Sequence, residues 1–236
     1  MPSPAKIDIQ PLVETDQILA LNKPPGLPTT GRDLDDEDCL QYQVMAREGA
    51  MVWALHQLDK NTSGVVLFAR KKSAVQRWQR RWTDGQIQKY YVALVHGSLS
   101  ESPLRIEAPI KRLARPGYTE VAIADDGKPA ITEVKQLSST GPYSLVIVRL
   151  LTGRTHQIRA HLQHVGCPLI GEKLYNSIPC AHHNRQALHA MAITTDQSAP
   201  LDCIKAPFPD DLRQLATRLG IDLAPLALWM AGLPSN

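Results

Sequence analysis

A carboxylate set among turn formers is the first place in this sequence where chemistry could be done. Asp59 stands in the run His56-Gln57-Leu58-Asp59-Lys60-Asn61-Thr62-Ser63-Gly64, with apolar stretches at residues 51–55 and 65–69 on either side. Presented between two expected buried strands, such a carboxylate is a candidate for covalent chemistry. The plainer alternative is a turn in which the Asp side chain caps backbone amides, and for an isolated Asp that is the commoner outcome. A nucleophilic carboxylate in a partly dry pocket must stay ionised, so it needs a cation beside it. His56 with Asp59 also invites a metal-dependent phosphodiesterase, although the pairing is too common to name one.

Composition narrows the field. The hydrophobic share of 43% and charged share of 21% are those of an ordinary globular protein. No apolar run is long enough to span a bilayer, and the N-terminal residues lack the apolar stretch of a secretory signal. A cytoplasmic protein is therefore expected. Cys39, Cys167, Cys180 and Cys203 are scattered, with no Cys-x-x-Cys pair, which argues against a disulfide framework. Cys180, His182 and His183 lie close together, but their spacing fits no structural zinc pattern, and no metal is expected. Net charge is only +3. Its distribution is more telling: Arg70, Lys71, Lys72, Arg77, Arg80, Arg81 and Lys89 face a single nearby acid, Asp84. A local basic patch on a nearly neutral chain points to contact with a polyanion.

The elements that must position these groups can be read from periodicity. Residues 18–21 form a first strand that runs into the turn Asn22-Lys23-Pro24-Pro25-Gly26. A short helix is expected near residues 40–47, a buried strand at 51–55 and another at 65–69. Ser73 is placed to cap a helix reaching Asp84, with Val75, Trp78 and Trp82 on one face and Arg77, Arg80 and Arg81 on the other. Tyr90 to Val95 reads as a strand, and residues 119–123, 130–135 and 144–151 as antiparallel hairpin strands. Ile158, Leu162 and Val165 form the apolar stripe of a helix over 155–165, and residues 212–219 a terminal helix. With no repeat or linker, residues 1–236 read as one α+β domain with a core over about 18–211, its sheet mixed and largely antiparallel.

The run from His56 to Gly64, followed by Val65-Val66-Leu67, resembles the His-Arg-Leu-Asp…Thr-Ser-Gly signature of the RluA-type RNA pseudouridine synthases. Further segments resemble that family in the same order: Asn22-Lys23-Pro24-Pro25-Gly26, Lys89-Tyr90-Tyr91-Val92-Ala93 and Gly153-Arg154-Thr155-His156-Gln157-Ile158-Arg159. Gly171-Glu172-Lys173-Leu174-Tyr175 and Ala187-Leu188-His189-Ala190 fit weaker downstream patterns. One such motif is suggestive, and several in order are strong.

The resemblance implies helices flanking a sheet with a central cleft, and isomerisation of uridine to pseudouridine without a cofactor. It makes Asp59 the nucleophile, Arg159 its cationic partner and Tyr91 the ring that meets the target base, with Leu188 walling the pocket. Arg154, Arg77, Arg80 and Arg81 would grip RNA, and His56, His156 and Gln157 would hold loop and helix together. It further implies a monomer acting on a stem-loop of ribosomal or transfer RNA. The segment ahead of the first core strand is too short for the S4-like RNA-binding domain of some relatives. Gln57 departs from the pattern, since the family usually carries Arg there to fill the gap left by a flipped base. The rival from another class is a non-catalytic RNA-binding protein that keeps the fold.

Overall fold

The structure, a computed structural model, describes residues 9–176, 183–195 and 202–234. In chain order its elements are β1 (Pro11–Glu14), β2 (Ile18–Lys23), α1 (Leu40–Glu48), β3 (Trp53–Ala54), β4 (Ser63–Ala69), α2 (Lys72–Thr83) and β5 (Ile87–His96). Then follow β6 (Leu104–Glu107), β7 (Ile110–Leu113), β8 (Glu120–Ile123), β9 (Ile131–Ser139), β10 (Tyr143–Leu150) and α3 (Gln157–His164). The chain ends with β11 (Leu188–Thr195), β12 (Cys203–Lys205), α4 (Asp210–Arg218) and α5 (Ala224–Ala231). This is an α+β fold whose registered strand pairs are antiparallel.

Contacts divide the chain into two compact units, each assembled from separated segments. The first holds residues up to Ile87 together with Ala190–Pro207, and the second holds Gln88–His189 with Phe208–Pro234. In the first, β2 pairs with β1 and β4, β3 pairs with β4, and β12 with β11. One face of these strands presents Ile18, Ala20, Val65, Leu67, Ala69, Ile193 and Ile204, all buried against Ala74 and Trp78 of α2. The i, i+2 spacing of the strand residues puts them on this single face. In the second unit β5, β10, β9 and β6 pair in that order, and β7–β8 is a separate two-stranded hairpin. His161 of α3 is fully buried there, bonded through Nδ1 to Thr132 Oγ1 (2.8 Å) and through Nε2 to the Ala108 carbonyl (2.9 Å). Burial lowers its pKa and favours the neutral ring, so Nε2 donates to the carbonyl and Nδ1 accepts from the threonine.

Several expectations need correction. The strand expected over residues 51–55 shrinks to Trp53–Ala54, both half-exposed, because β4 offers it only Ala69 and Phe68 as partners. Ser73 is not the cap of α2: the helix starts at Lys72, two residues before the start that a Ser73 cap implies, and Lys71 precedes it without a side-chain cap bond. Ala74, in the first turn of the helix, is fully buried on the face it shares with Trp78. The helix expected from 155 begins at Gln157, since Thr155 and His156 are used in a turn closed from Gln157 N to the Arg154 carbonyl. Residues 212–219 do lie largely within a helix, α4, but α5 follows it. The strands β1, β6, β7 and β12 were not anticipated either. Cys180 and His182 lie outside the described residues.

Candidate active site

The loop that carries Asp59 is clamped on both sides. Before it, the buried Leu58 has both backbone groups tied to one hydroxyl: its N–H donates to Thr29 Oγ1 (3.0 Å), which donates in turn to the Leu58 carbonyl (3.1 Å). After it, the Lys60 carbonyl accepts from Gly26 N (2.9 Å) and from the Lys23 ammonium (3.0 Å). Lys23 is wholly buried, and its ammonium also donates to the carbonyls of Pro24 and Leu27, each at 2.8 Å. The Pro-Pro-Gly turn is thus wrapped around a lysine that reaches the Asp59 loop. Thr62 N donates to the Asp59 carbonyl (3.0 Å), closing the turn at backbone level. Asp59 itself is half-buried.

The neighbouring side chains are each held by specific contacts. His56 Nε2 accepts from Leu67 N (3.2 Å), and its ring lies 5.2 Å from that of Trp82 on α2. With Nε2 an acceptor, the imidazole fastens the loop to β4 and α2. Gln57 is exposed and donates to Thr30 Oγ1 (2.9 Å). Gly64 has φ +114°, and a Cβ there would sit 2.1 Å from the Ala190 carbonyl oxygen, so β4 passes β11 only as a glycine.

The basic patch resolves into distinct fates. Arg70 is neutralised by Glu14 and Glu48, and Lys89 belongs to the second unit. Arg77 and Arg81, one turn apart, line a cleft of about 640 Å³ with Thr15, Asp16, Gln17, Ile18 and Trp78. Arg77 Nη1 donates to Gln17 Oε1 (2.8 Å). Arg80 is exposed and stands outside that lining.

In the second unit, Tyr91 is buried on β5 opposite Val148, and Tyr90 stands opposite Arg149. Alternation along the strand sends the two rings to opposite faces. Tyr90 donates to Gln88 Oε1 (2.6 Å) and meets Trp229 edge-on. Lys89, next in line, has its pKa pulled down to about 8 by burial. Arg154 is exposed, but its Nε donates to the Pro129 carbonyl (3.0 Å), so part of its guanidinium is spent on the backbone. Leu188 is buried, and its carbonyl accepts from Arg185 (3.1 Å).

Arg159 is 9% exposed and forms a two-bond fork with Glu172: Nε to Oε2 at 2.7 Å and Nη2 to Oε1 at 2.8 Å. Sequence reasoning noticed Glu172 only as part of a weak motif and gave it no role. Burial pushes the Glu172 carboxyl up, but the hydrogen bonds and charge of Arg159, helped by the amides of Leu174 and Tyr175, outweigh this and hold it below its ordinary 4.5. A depressed carboxylate pKa adds stability that is fully present above the ordinary value and is lost as pH falls through the folded one. Urea melts between pH 5 and 3 should therefore show the wild type losing more stability than Glu172→Gln below about pH 4.5. Parallel losses in the two proteins would contradict that linkage.

Among the described residues, no three His, Cys, Asp or Glu side chains gather as a metal site, and no helix is long and apolar enough to cross a membrane. The family model described as RNA pseudouridylate synthase matches residues 17–164. The chain belongs to this family. Its signature loop and the forked arginine both fall inside the matched segment. An RNA pseudouridine synthase of Chloroflexus aurantiacus is 38% identical over 70% of this chain, and that alignment spans only 52% of the relative's length. The ribosomal large subunit pseudouridine synthase C of Vibrio vulnificus is 31% identical over 90% of this chain and 70% of its own. The solved structure of human RNA pseudouridylate synthase domain containing 4 superposes with a TM-score of 0.74 at 22% identity, covering 90% of this chain and 93% of that one. The last of these likenesses concerns the fold. Together with the motifs, the matches make the chain an RluA-type pseudouridine synthase, an isomerase of uridine in RNA.

Proposed function

We propose that the chain isomerises a specific uridine of ribosomal or transfer RNA, with Asp59 as nucleophile, Arg159 as the cation that keeps it ionised and Tyr91 against the target base. The observation that carries this reading is the clamp around Asp59. Thr29 on one side and Lys23 on the other hold a half-buried carboxylate in fixed register. A group that must attack one atom needs such preorganisation.

The reaction breaks the bond from ribose C1′ to uracil N1, turns the base and rejoins C1′ to C5. The C5 proton departs and N1 gains one, so atoms and electrons balance without a cofactor. The uridine must first leave its stack, at a cost of a few kcal/mol. Gln57 is shorter than arginine and uncharged, and is bonded to Thr30. The grip on the RNA would then fall more heavily on phosphate contacts from Arg154 and the arginines of α2, with Leu188 walling the pocket. A ribosomal substrate agrees with the name of the Vibrio relative, and we extend the proposal to a cytoplasmic location and a monomeric state.

Purified protein incubated with ribosomal and transfer RNA, followed by pseudouridine mapping, tests the reading. New pseudouridine at a defined uridine supports it; RNA binding without modification would leave the fold-retaining binding protein instead. Replacing Arg77, Arg80 and Arg81 together by Gln should weaken RNA binding and lower the salt slope of log K by about 2 to 3, if each meets one phosphate. An unchanged slope would take α2 out of the interface.

A further inference from the structure

We propose that Glu172 is the positioning residue of the catalytic centre, fixing the guanidinium of Arg159 so that its Nη1 end serves the anion at the site. The inference rests on the reading of Arg159 as the cation of that centre. A guanidinium is a flat fork with donors on three sides. Glu172 takes the side formed by Nε and Nη2. Any second anion that Arg159 serves must then approach from Nη1.

The holder is itself held. The Glu172 side chain is 1% exposed, and its Oε1 also accepts from the amides of Leu174 (2.8 Å) and Tyr175 (3.4 Å). It follows Gly171, where φ is +76° and a Cβ would sit 2.0 Å from the Arg185 carbonyl oxygen, so the turn is pressed against the backbone at Arg185. The Tyr175 ring covers the guanidinium, with Arg159 Cζ 5.1 Å from its centroid. Its hydroxyl bonds His156 Nδ1 (2.7 Å) and accepts from Val121 N (3.1 Å). His156 in turn occupies the left-handed region (φ 52°) immediately before α3, a conformation uncommon for a side chain of its size. One edge and one face of the guanidinium are therefore fixed, and so is the start of the helix that carries it.

A buried ion pair stabilises a fold little beyond what apolar residues of the same shape achieve, because both charges must be dehydrated. What the pair supplies that apolar side chains cannot is direction. With Glu172 ionised the pair is neutral overall, so Arg159 keeps the anion ionised through directed N–H donors and not through excess positive charge.

The test measures single-turnover rate and RNA affinity, using an RNA in which the wild type forms pseudouridine, for Glu172→Gln, Arg159→Met and the double variant. A misplacement of about 1 Å can cost on the order of 10²-fold in rate. Glu172→Gln should accordingly slow the step roughly 10- to 100-fold, with RNA Kd within about twofold of wild type. In the Arg159→Met background the same change should cost no more than about twofold, since there is then no guanidinium to aim. Wild-type rate in Glu172→Gln alongside an inactive Arg159→Met overturns the positioning role and leaves Arg159 in place. Wild-type rate in Arg159→Met overturns the reading of Arg159 beneath it. Should Glu172→Gln not fold, Glu172→Asp keeps the charge and withdraws it by one methylene. A slowed rate at unchanged melting temperature then supports the proposal, and a full rate refutes it.

Discussion

Asp59→Asn should abolish pseudouridine formation while leaving RNA binding intact. The amide is the same size as the carboxylate but cannot attack, and loss of a covalent nucleophile costs at least about 10³-fold in turnover. Because isomerisation expels the C5 proton, release of tritium from C5-labelled uridine counts each event directly. The variant should release none above background. Its RNA affinity should equal or slightly exceed that of the wild type, since one negative charge has been removed from a surface that meets a polyanion. The fold should survive: Asp59 is only half-buried, and the turn around it is closed by backbone bonds at Thr62 and by the clamps at Leu58 and Lys60. Equal tritium release from the two proteins would remove Asp59 from the chemistry altogether.

Lys23→Met should strongly destabilise the first unit. Methionine fills most of the volume but has no donor for the carbonyls of Pro24, Leu27 and Lys60. These bonds are partly buried, so each carbonyl left without its partner costs toward the lower end of about 1 to 3 kcal/mol. The Lys60 carbonyl keeps Gly26 N, so its loss is the smallest. The expected destabilisation is about 3 kcal/mol or more, roughly 6 to 12 °C in Tm for a chain of this size. Activity at low temperature should fall as well, because the clamp on the Lys60 side of Asp59 is the one removed. A variant that melts with the wild type would mean that the turn closes without the ammonium.

The contrast between Asp59 and Glu172 shows what the sequence reveals and what it hides. Asp59 stands out as a candidate only because the whole run around it resembles a family signature. By itself a polar run ahead of an apolar strand fits a capping turn, and Gly64 marks a close backbone crossing. Arg159 is legible as a cation on a helix beside an apolar stripe, but its partner is not. Glu172 lies on another turn, and only the fold brings its carboxylate to Nε and Nη2. Lys23 was visible as a residue in a turn, yet nothing in its type foretells complete burial. The short β3 was overread because apolar residues beside a strand resemble a strand even when only two of them pair. Helix α5 was missed for the opposite reason: residues 224–231 are apolar almost throughout, so no stripe marks a buried face. Division into two units was hidden too, since no change in composition marks Ile87 or Ala190.

That division has a consequence for how the protein is made. The apolar face of β2 and β4 is completed by Ile193, Ile204 and Ala206, which belong to the same unit but follow about a hundred intervening residues. As the chain leaves the ribosome, the Asp59 loop and the strands around it appear early and must wait for their last partners. At 5 to 20 residues per second the delay is roughly 5 to 20 s, during which Val65, Leu67 and Trp78 lack part of their cover. A nascent chain stalled before Ile193 should be cut by protease within its first 87 residues, whereas one extended past Pro207 should resist.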